Sequence, residues 1–280
     1  MLAVVGLWAM AGAWTGEGPA AAGVGSLALA LLAALATNVY IVGINQLTDV
    51  EIDRINKPGL PLAAGAITVR TGRTWVALSA LVAVGAAVVA GPWLLAAVLI
   101  GLAVGTAYSV PPLRLKRFHV AAAASITSVR ALTVNLFVYA HFHAGVAGAA
   151  AIPQHVWALT GMVLGLTIAI SWFKDIPDAV GDAQHGIATL VLRVGLTRVL
   201  AVGLAILAAC YVSLIVAGVV GLAGVNGTLL AVGHVALLAA LAVIARRIDS
   251  DDPASLKRFY SQIWLLFFAE YVAFPVAAVL

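Results

Sequence analysis

The chain has 280 residues, of which 64% are hydrophobic and only 9% charged, with a net charge of +4 and a mean hydropathy of +1.11. A soluble globular domain carries about 25% charge, so a water-surrounded globule is excluded and the protein reads as integral to a membrane. Its apolar stretches are long and do not alternate with polar residues, which argues against a membrane β-barrel and for helices.

Nine spans are expected, each judged against the ~20 residues a helix needs to cross. The first, about 1–14, is short, and with no basic segment before it reads as a span and not as a cleaved signal peptide. The second, 22–47, leads into the polar stretch NQLTDVEIDRINKP at 45–58. The third and fourth, 74–90 and 92–109, part near residue 91. The fifth, 119–142, carries an arginine, Arg130, well inside it. The sixth, 155–174, runs into a second polar stretch, KDIPDAVGD at 174–182. Spans at 197–220, 228–246 and 259–280 complete an all-α, polytopic bundle, taken as one domain over 1–280. The lone cysteine, Cys210, lies inside a span, so no disulfide framework exists.

Basic residues orient these spans. Fourteen of the 15 fall in or beside alternate connections: Arg54 to Arg73, Arg114 to Arg117, Lys174 to Arg198, and Arg246 to Arg258. The other connections contain none. This asymmetry puts the basic ends in the cytoplasm and the C-terminus outside. It also supports the count, since one helix fewer would break the alternation.

Acid is distributed as selectively. Six of the 11 acidic residues fall in the two polar stretches, at span ends on the same side. Asn45, Asp49 and Asp53 are spaced i, i+4, i+8 and form one stripe on a continuous helix. Asp175, Asp178 and Asp182 are spaced i, i+3, i+7 and share a face if the turn stays helical, although Pro177 allows local unwinding. Such carboxylate and amide oxygens are hard ligands suited to Mg²⁺, which takes few protein ligands and completes its shell with phosphate oxygens. Neither stripe has His or Cys at ligand spacing, so zinc fits poorly. Cations flank both stripes, and metal with Lys and Arg around it makes a clamp for a diphosphate. A bland alternative is that polar residues only mark helix ends meeting water. It explains one stripe better than two on the same side.

At these residues the sequence resembles the UbiA superfamily of intramembrane prenyltransferases, whose two aspartate-rich motifs take these positions. NQLTDVEIDRINKPGLPLAAG and FKDIPDAVGDAQHGIATLVLRVG are most similar to the homogentisate prenyltransferase branch, the plant and cyanobacterial enzymes of tocopherol and plastoquinone synthesis. GTAYSVPPLRLKRF (105–118), VRALTVN (129–135) and IWLLFFAEYVAFP (263–275) extend the likeness. It implies nine helices around a central cavity, a polyprenyl diphosphate donor, Mg²⁺ and an aromatic acceptor, which the branch makes homogentisate. Carried over by position, Asn45, Asp49, Asp53, Asp175, Asp178 and Asp182 hold the metal and diphosphate. Arg54, Lys57, Tyr108, Lys116, Arg117 and Lys174 supply further contacts. One departure is Val180, where the branch usually has Glu.

Two charges sit deep in spans, Arg130 and Glu270, and are expected to approach each other, as a helix lock or as part of an acceptor pocket. His141, His143 and His155 are expected near the outer interface, and Trp8, Trp14, Trp93 and Trp157 in an interfacial belt. Gly101–Gly105 and Gly161–Gly165 read as close-packing signals, and Asp249, Asp251 and Asp252 as a solvated loop. Two rival functions remain. A terpene cyclase of the same fold would ionise the same donor, and a cation transporter would use carboxylates near mid-membrane on broken helices.

Overall fold

In the computed structural model, which describes residues 1–174, 176 and 190–280, every described element is helical. Asp175, Asp178 and Asp182 lie outside the described residues. Eight described helices are long and apolar enough to cross a membrane, and a shorter apolar one precedes them. The chain therefore has the expected all-α, polytopic architecture. It packs as two units, Ala3–Ala151 and Ile152–Leu280.

The first unit runs α1 (Leu2–Trp14), α2 (Val24–Asn56), α3 (Val69–Ala90) and α4 (Pro92–Ser109). A 3₁₀ turn at Leu115–Arg117 leads to α5 (His119–Thr127), a π-helical stretch (Ser128–Val138) and α6 (Tyr139–Ala147). Local chemistry sets several of these boundaries. Gly91 takes a φ of +120°, open to glycine, and ends α3, while Pro92 starts α4, where its missing N–H costs nothing. Thr68 caps α3 by accepting from Thr71 N at 3.1 Å.

At 33 residues α2 is about 50 Å long, well beyond a hydrocarbon core of ~30 Å. It continues nine residues past the expected end of the second span, and that overhang carries the first acid stripe as continuous helix. Helices α3 and α4 pack on α2. Small residues permit the approach: a Cβ built on Gly105 would lie 2.7 Å from Ile41 Cγ1, and one on Gly101 3.1 Å from Thr37 Cγ2. The Gly101–Gly105 signal thus corresponds to a real close contact.

The second unit comprises α7 (Gln154–Phe173), the short α8 (Leu190–Val194), α9 (Leu196–Val220), α10 (Gly227–Arg246) and α11 (Pro253–Val279). Helix α9 packs on α7 and α10, and α11 packs on α10 and α7. Gly165 abuts Cys210 of α9, whereas a Cβ on Gly161 would meet nothing within 4 Å. Of that pair, one glycine makes the helix contact.

Several expected residues have more specific surroundings than the sequence suggested. His141, His143 and His155, expected near the outer interface, have buried side chains. His141 Nε2 hydrogen-bonds with Ser26 Oγ at 3.0 Å, and His143 Nδ1 donates to the Ala149 carbonyl at 2.8 Å. Burial of His141 and His143 is tolerated because each of these two has a polar partner. Asp252 is more than a solvated loop residue: it caps α11, accepting from Ala254 N and Ser255 N at 2.9 and 3.0 Å. Finally, Glu270 has a hydrogen-bond partner that the sequence did not suggest, His234. His234 sits on α10, which packs against α11, so helix packing brings the two together.

Candidate functional site

The C-terminal end of α2 presents Asn45, Asp49 and Asp53 along one face. The segment after α4 returns to meet it. Arg114 Nη2 donates to Asp49 Oδ1 at 2.9 Å, and Lys116 Nζ makes a short contact with the other oxygen, Oδ2. Lys116 also donates to Thr48 Oγ1 at 3.3 Å. Asn45 Nδ2 donates to Ser109 Oγ at 3.3 Å, which leaves its amide oxygen turned away from that bond. The stripe and its cations therefore form a mixed-charge cluster, with the Asp49 and Lys116 side chains each 14% exposed.

Arg114 did not stand out in the sequence as a site residue. It adopts φ 36° and ψ 57°, the one non-glycine residue at positive φ among those described. This left-handed conformation costs an L-residue about 1–2 kcal/mol. Such residues concentrate where surrounding contacts hold them for a purpose; here the Asp49 ion pair is such a contact.

Beside the stripe lies a cavity of about 560 Å³, within the range of small-molecule sites. Its walls come from α2, α4, α5 and the π stretch, and are mostly apolar: Ile41, Val42, Val104, Ile126, Val129 and Val134. The polar exceptions include four of the expected residues, Asn45, Lys57, Tyr108 and Arg130, joined by Asn38, Gln46 and Ser125. Arg130 reaches this wall from the π-helical stretch, where Thr133 Oγ1 donates five residues back to the Ser128 carbonyl. Wide turns of this kind are frequent at functional sites because they shift side chains out of α-helical register.

A second cavity of about 270 Å³ lies between α2 and α3. It shares Asn38, Val42 and Gln46 with the first and adds Val39, Gly43, Trp75 and Val76. Residues 38, 42 and 46 follow an i, i+4, i+8 row, so this ridge of α2 divides the two chambers. Leu60 lines the first chamber, and Pro61, Leu62 and Ile67 line the second. The connection after α2 thus covers both.

The remaining expected residues are disposed differently. Arg54 lies off the stripe and pairs with Glu51 at 3.0 Å, both side chains being largely exposed. Arg117 is exposed and lies 4.8 Å over the Phe118 ring. Lys174 is exposed at the C-terminal end of α7, in the second unit. The sequence reading missed Asn38 and Gln46, although both are polar residues in or at the end of an apolar span, Asn38 two turns before Asn45 and Gln46 next to it. That signal could have found them.

The donors present suit Mg²⁺. Asp53 is only 8% exposed. A carboxylate withdrawn this far from solvent favours a cation beside it. With the Asn45 amide oxygen and Asp49 on the same face, the stripe offers hard oxygens only, the chemistry that magnesium prefers. Among the described residues there is no cluster of three or more His, Cys, Asp or Glu. The stripe supplies two such carboxylates.

A model of the UbiA prenyltransferase family matches residues 2–268. Homogentisate phytyltransferase of Synechocystis sp. is 43% identical over 248 residues, covering 89% of this chain and 80% of that protein. Homogentisate phytyltransferase 1 of Arabidopsis thaliana, a chloroplastic protein, is 37% identical over 88% of this chain, which spans 64% of the plant protein. A solved UbiA homologue from Archaeoglobus fulgidus bound to GPP and Mg²⁺ superposes with a TM-score of 0.60 at 20% identity. The superposition takes in 98% of this chain and 96% of that one. At that identity the likeness bears on the fold.

Proposed function

We propose a function from the premise that this chain belongs to the UbiA prenyltransferase family. The protein is an integral membrane prenyltransferase that joins the prenyl group of an allylic diphosphate to the ring of homogentisate. One observation carries the reading furthest. A hard-oxygen stripe, backed by Arg114 and Lys116, adjoins an apolar cavity of about 560 Å³ with a few polar groups in its wall. The relatives named for homogentisate phytyl transfer supply the acceptor.

Asn45, Asp49 and Asp53 would hold Mg²⁺, and the same role is proposed for Asp175, Asp178 and Asp182 from their matching pattern in the sequence. When bound, the metal neutralises diphosphate charge and improves it as a leaving group. Arg114 and Lys116 stand within reach of the same charge, and on donor binding they exchange part of their hold on Asp49 for phosphate oxygens. Lys57 at the end of α2, Arg54, Arg117 and Lys174 supply further positive charge, and Tyr108 a hydroxyl. The allylic C–O bond breaks and its electron pair leaves with diphosphate. The electron-rich ring carbon attacks the resulting allylic cation, forming a C–C bond, and loss of a proton or of CO₂ restores aromaticity. The apolar walls and the covering connection at 57–67 keep water from quenching the cation. Arg130, a planar fork at the cavity wall, suits the acceptor's carboxylate.

We place the basic ends of the helices, and with them the site, on the cytoplasmic face of a bacterial plasma membrane. The charge asymmetry supports that orientation. Labelling single cysteines at Gly18 and Ser250 from either side checks it. Incubating purified protein with a prenyl diphosphate and Mg²⁺, with and without homogentisate, tests the reaction. The expected result is prenylated quinol and diphosphate release that both require the acceptor.

A further inference from the structure

The turn between α10 and α11, carried wholly by the second unit, holds a concentration of cations that the reaction does not use. Arg247 and Arg258 line a cavity of about 250 Å³ together with Ser255, Gln262, Ile244 and Phe259. A second, more open cavity of about 410 Å³ shares Arg258 and Gln262 and adds Lys257 and Ser261. Three cations and three neutral hydrogen-bonding side chains thus converge on two adjoining hollows. The acids of the same turn do not line either one. Asp252 is engaged in capping α11 and accepts from Arg258 at 3.2 Å, while Asp249 accepts from Asp251 N at 3.0 Å. Among the described residues no carboxylate meets Arg247 or Lys257. The turn itself is fixed, because Ser255 Oγ takes the Asp249 N–H at 3.0 Å and donates to the Arg247 carbonyl at 3.3 Å.

Below the cations, the same face of α11 turns apolar. Leu265, Phe268, Val272 and Val276 follow Arg258 and Ser261 at steps of three or four residues, and all four are exposed. From Arg258 to Val276 this face runs about 27 Å at 1.5 Å per residue, comparable to the hydrocarbon core of a bilayer. A charged cradle continuous with an apolar strip of that length has the polarity pattern of a lipid, with an anionic head above its tails.

We propose that these hollows form a phosphate-binding site that takes the headgroup of an anionic phospholipid, with its acyl chains along the exposed face of α11. Arg247 and Arg258 hold phosphate oxygens through their planar forks, and Lys257 adds a point charge at the more open side. Ser255, Ser261 and Gln262 offer hydrogen bonds to headgroup oxygens. Basic pockets between membrane helices at the headgroup level bind anionic lipids by this chemistry. A soluble phosphate or diphosphate could satisfy the same cations, but only a lipid would join them to the apolar strip.

The test uses the whole protein in phosphatidylcholine nanodiscs. Thermal unfolding is followed with added phosphatidylglycerol, or with inorganic phosphate or diphosphate in phosphatidylcholine alone, without Mg²⁺. Phosphatidylglycerol is expected to raise the melting midpoint by a few degrees. The double variant Arg247→Gln/Lys257→Gln should need on the order of tenfold more of it for the same rise. The charge-keeping variant Arg247→Lys/Lys257→Arg should respond much as the parent does, which separates lost binding from lost folding. If phosphate or diphosphate produces the rise and the Gln variant abolishes it, the phosphate site stands and its ligand is a soluble anion. Equal responses of parent and Gln variant to every added anion would overturn the proposal. Prenyl transfer in phosphatidylcholine alone is expected to be the same for parent and variant.

Discussion

Asp49 and Glu270 are both carboxylates on long membrane helices, and the molecule treats them in opposite ways. Asp49 stands at the overhanging end of α2, partly exposed, and is met by Arg114 and Lys116 from a connecting segment. Glu270 is fully buried and is met by His234 at 3.2 Å, while the other ring nitrogen of His234 donates to the Leu230 carbonyl at 2.6 Å. Long cations on a loop can trade one anion for another, because their flexible side chains can swing between oxygens while each charge stays paired. A buried pair cannot be exchanged in this way, because separating it strands a polar group in a medium without water. The first arrangement suits a site that must accept and release diphosphate. The second suits a lock between α10 and α11.

Several substitutions can break or sharpen this contrast. The largest effect is expected at the stripe. Asp53→Asn or Asp49→Asn should lower kcat/KM by on the order of 10²–10³-fold while leaving the melting midpoint within a degree or two of the parent, by analogy with the loss of one electrostatic group from a transition-state site. Steady-state kinetics and thermal unfolding on the same preparation check both halves of that statement. At the lock the pattern should invert. Glu270→Ala should cost about 1–3 kcal/mol of stability by leaving His234 without its partner, and Glu270→Gln, which keeps a hydrogen-bonding group, clearly less. A stripe-sized loss of activity in the stable Glu270→Gln variant would blur the distinction.

Next come the cations that face Asp49. Lys116→Ala or Arg114→Ala should raise KM for the donor by about tenfold, the cost of one charge-assisted hydrogen bond. Arg130→Gln should instead raise KM for homogentisate, with donor KM little changed. The smallest effect belongs to Glu51→Gln. Glu51 faces away from the stripe and pairs only with exposed Arg54, so activity and stability should remain within about twofold and 0.5 kcal/mol of the parent.

Much of this was legible in the sequence because membrane helices expose their logic in one dimension. Helix α4 begins and ends at the expected residues, 92 and 109, because Gly91–Pro92 and Pro111–Pro112 bracket it. The end of α2 was misjudged by hydropathy, which falls where Asn45 and Asp49 begin, although hydrogen bonding along the helix continues to Asn56. Periodicity still put Asn45, Asp49 and Asp53 on one face. What sequence could not supply was partnership across helices. His234 is one histidine in an apolar span, and its partner lies 36 residues away on another helix. Arg114 reads as one of several loop cations until its left-handed backbone and its reach to Asp49 are seen.

The central claim is that the Asn45–Asp49–Asp53 stripe works a diphosphate for transfer to an aromatic ring. The most direct measurement follows product and diphosphate together, for the parent and for Asp53→Asn, across a series of prenyl diphosphates with Mg²⁺, with and without homogentisate. The account predicts prenylated quinol and diphosphate in equal amounts, only with acceptor present, and a loss of both on the order of 10²-fold or more in the variant. A cyclised hydrocarbon formed without acceptor, or parent-like turnover by Asp53→Asn, would contradict it.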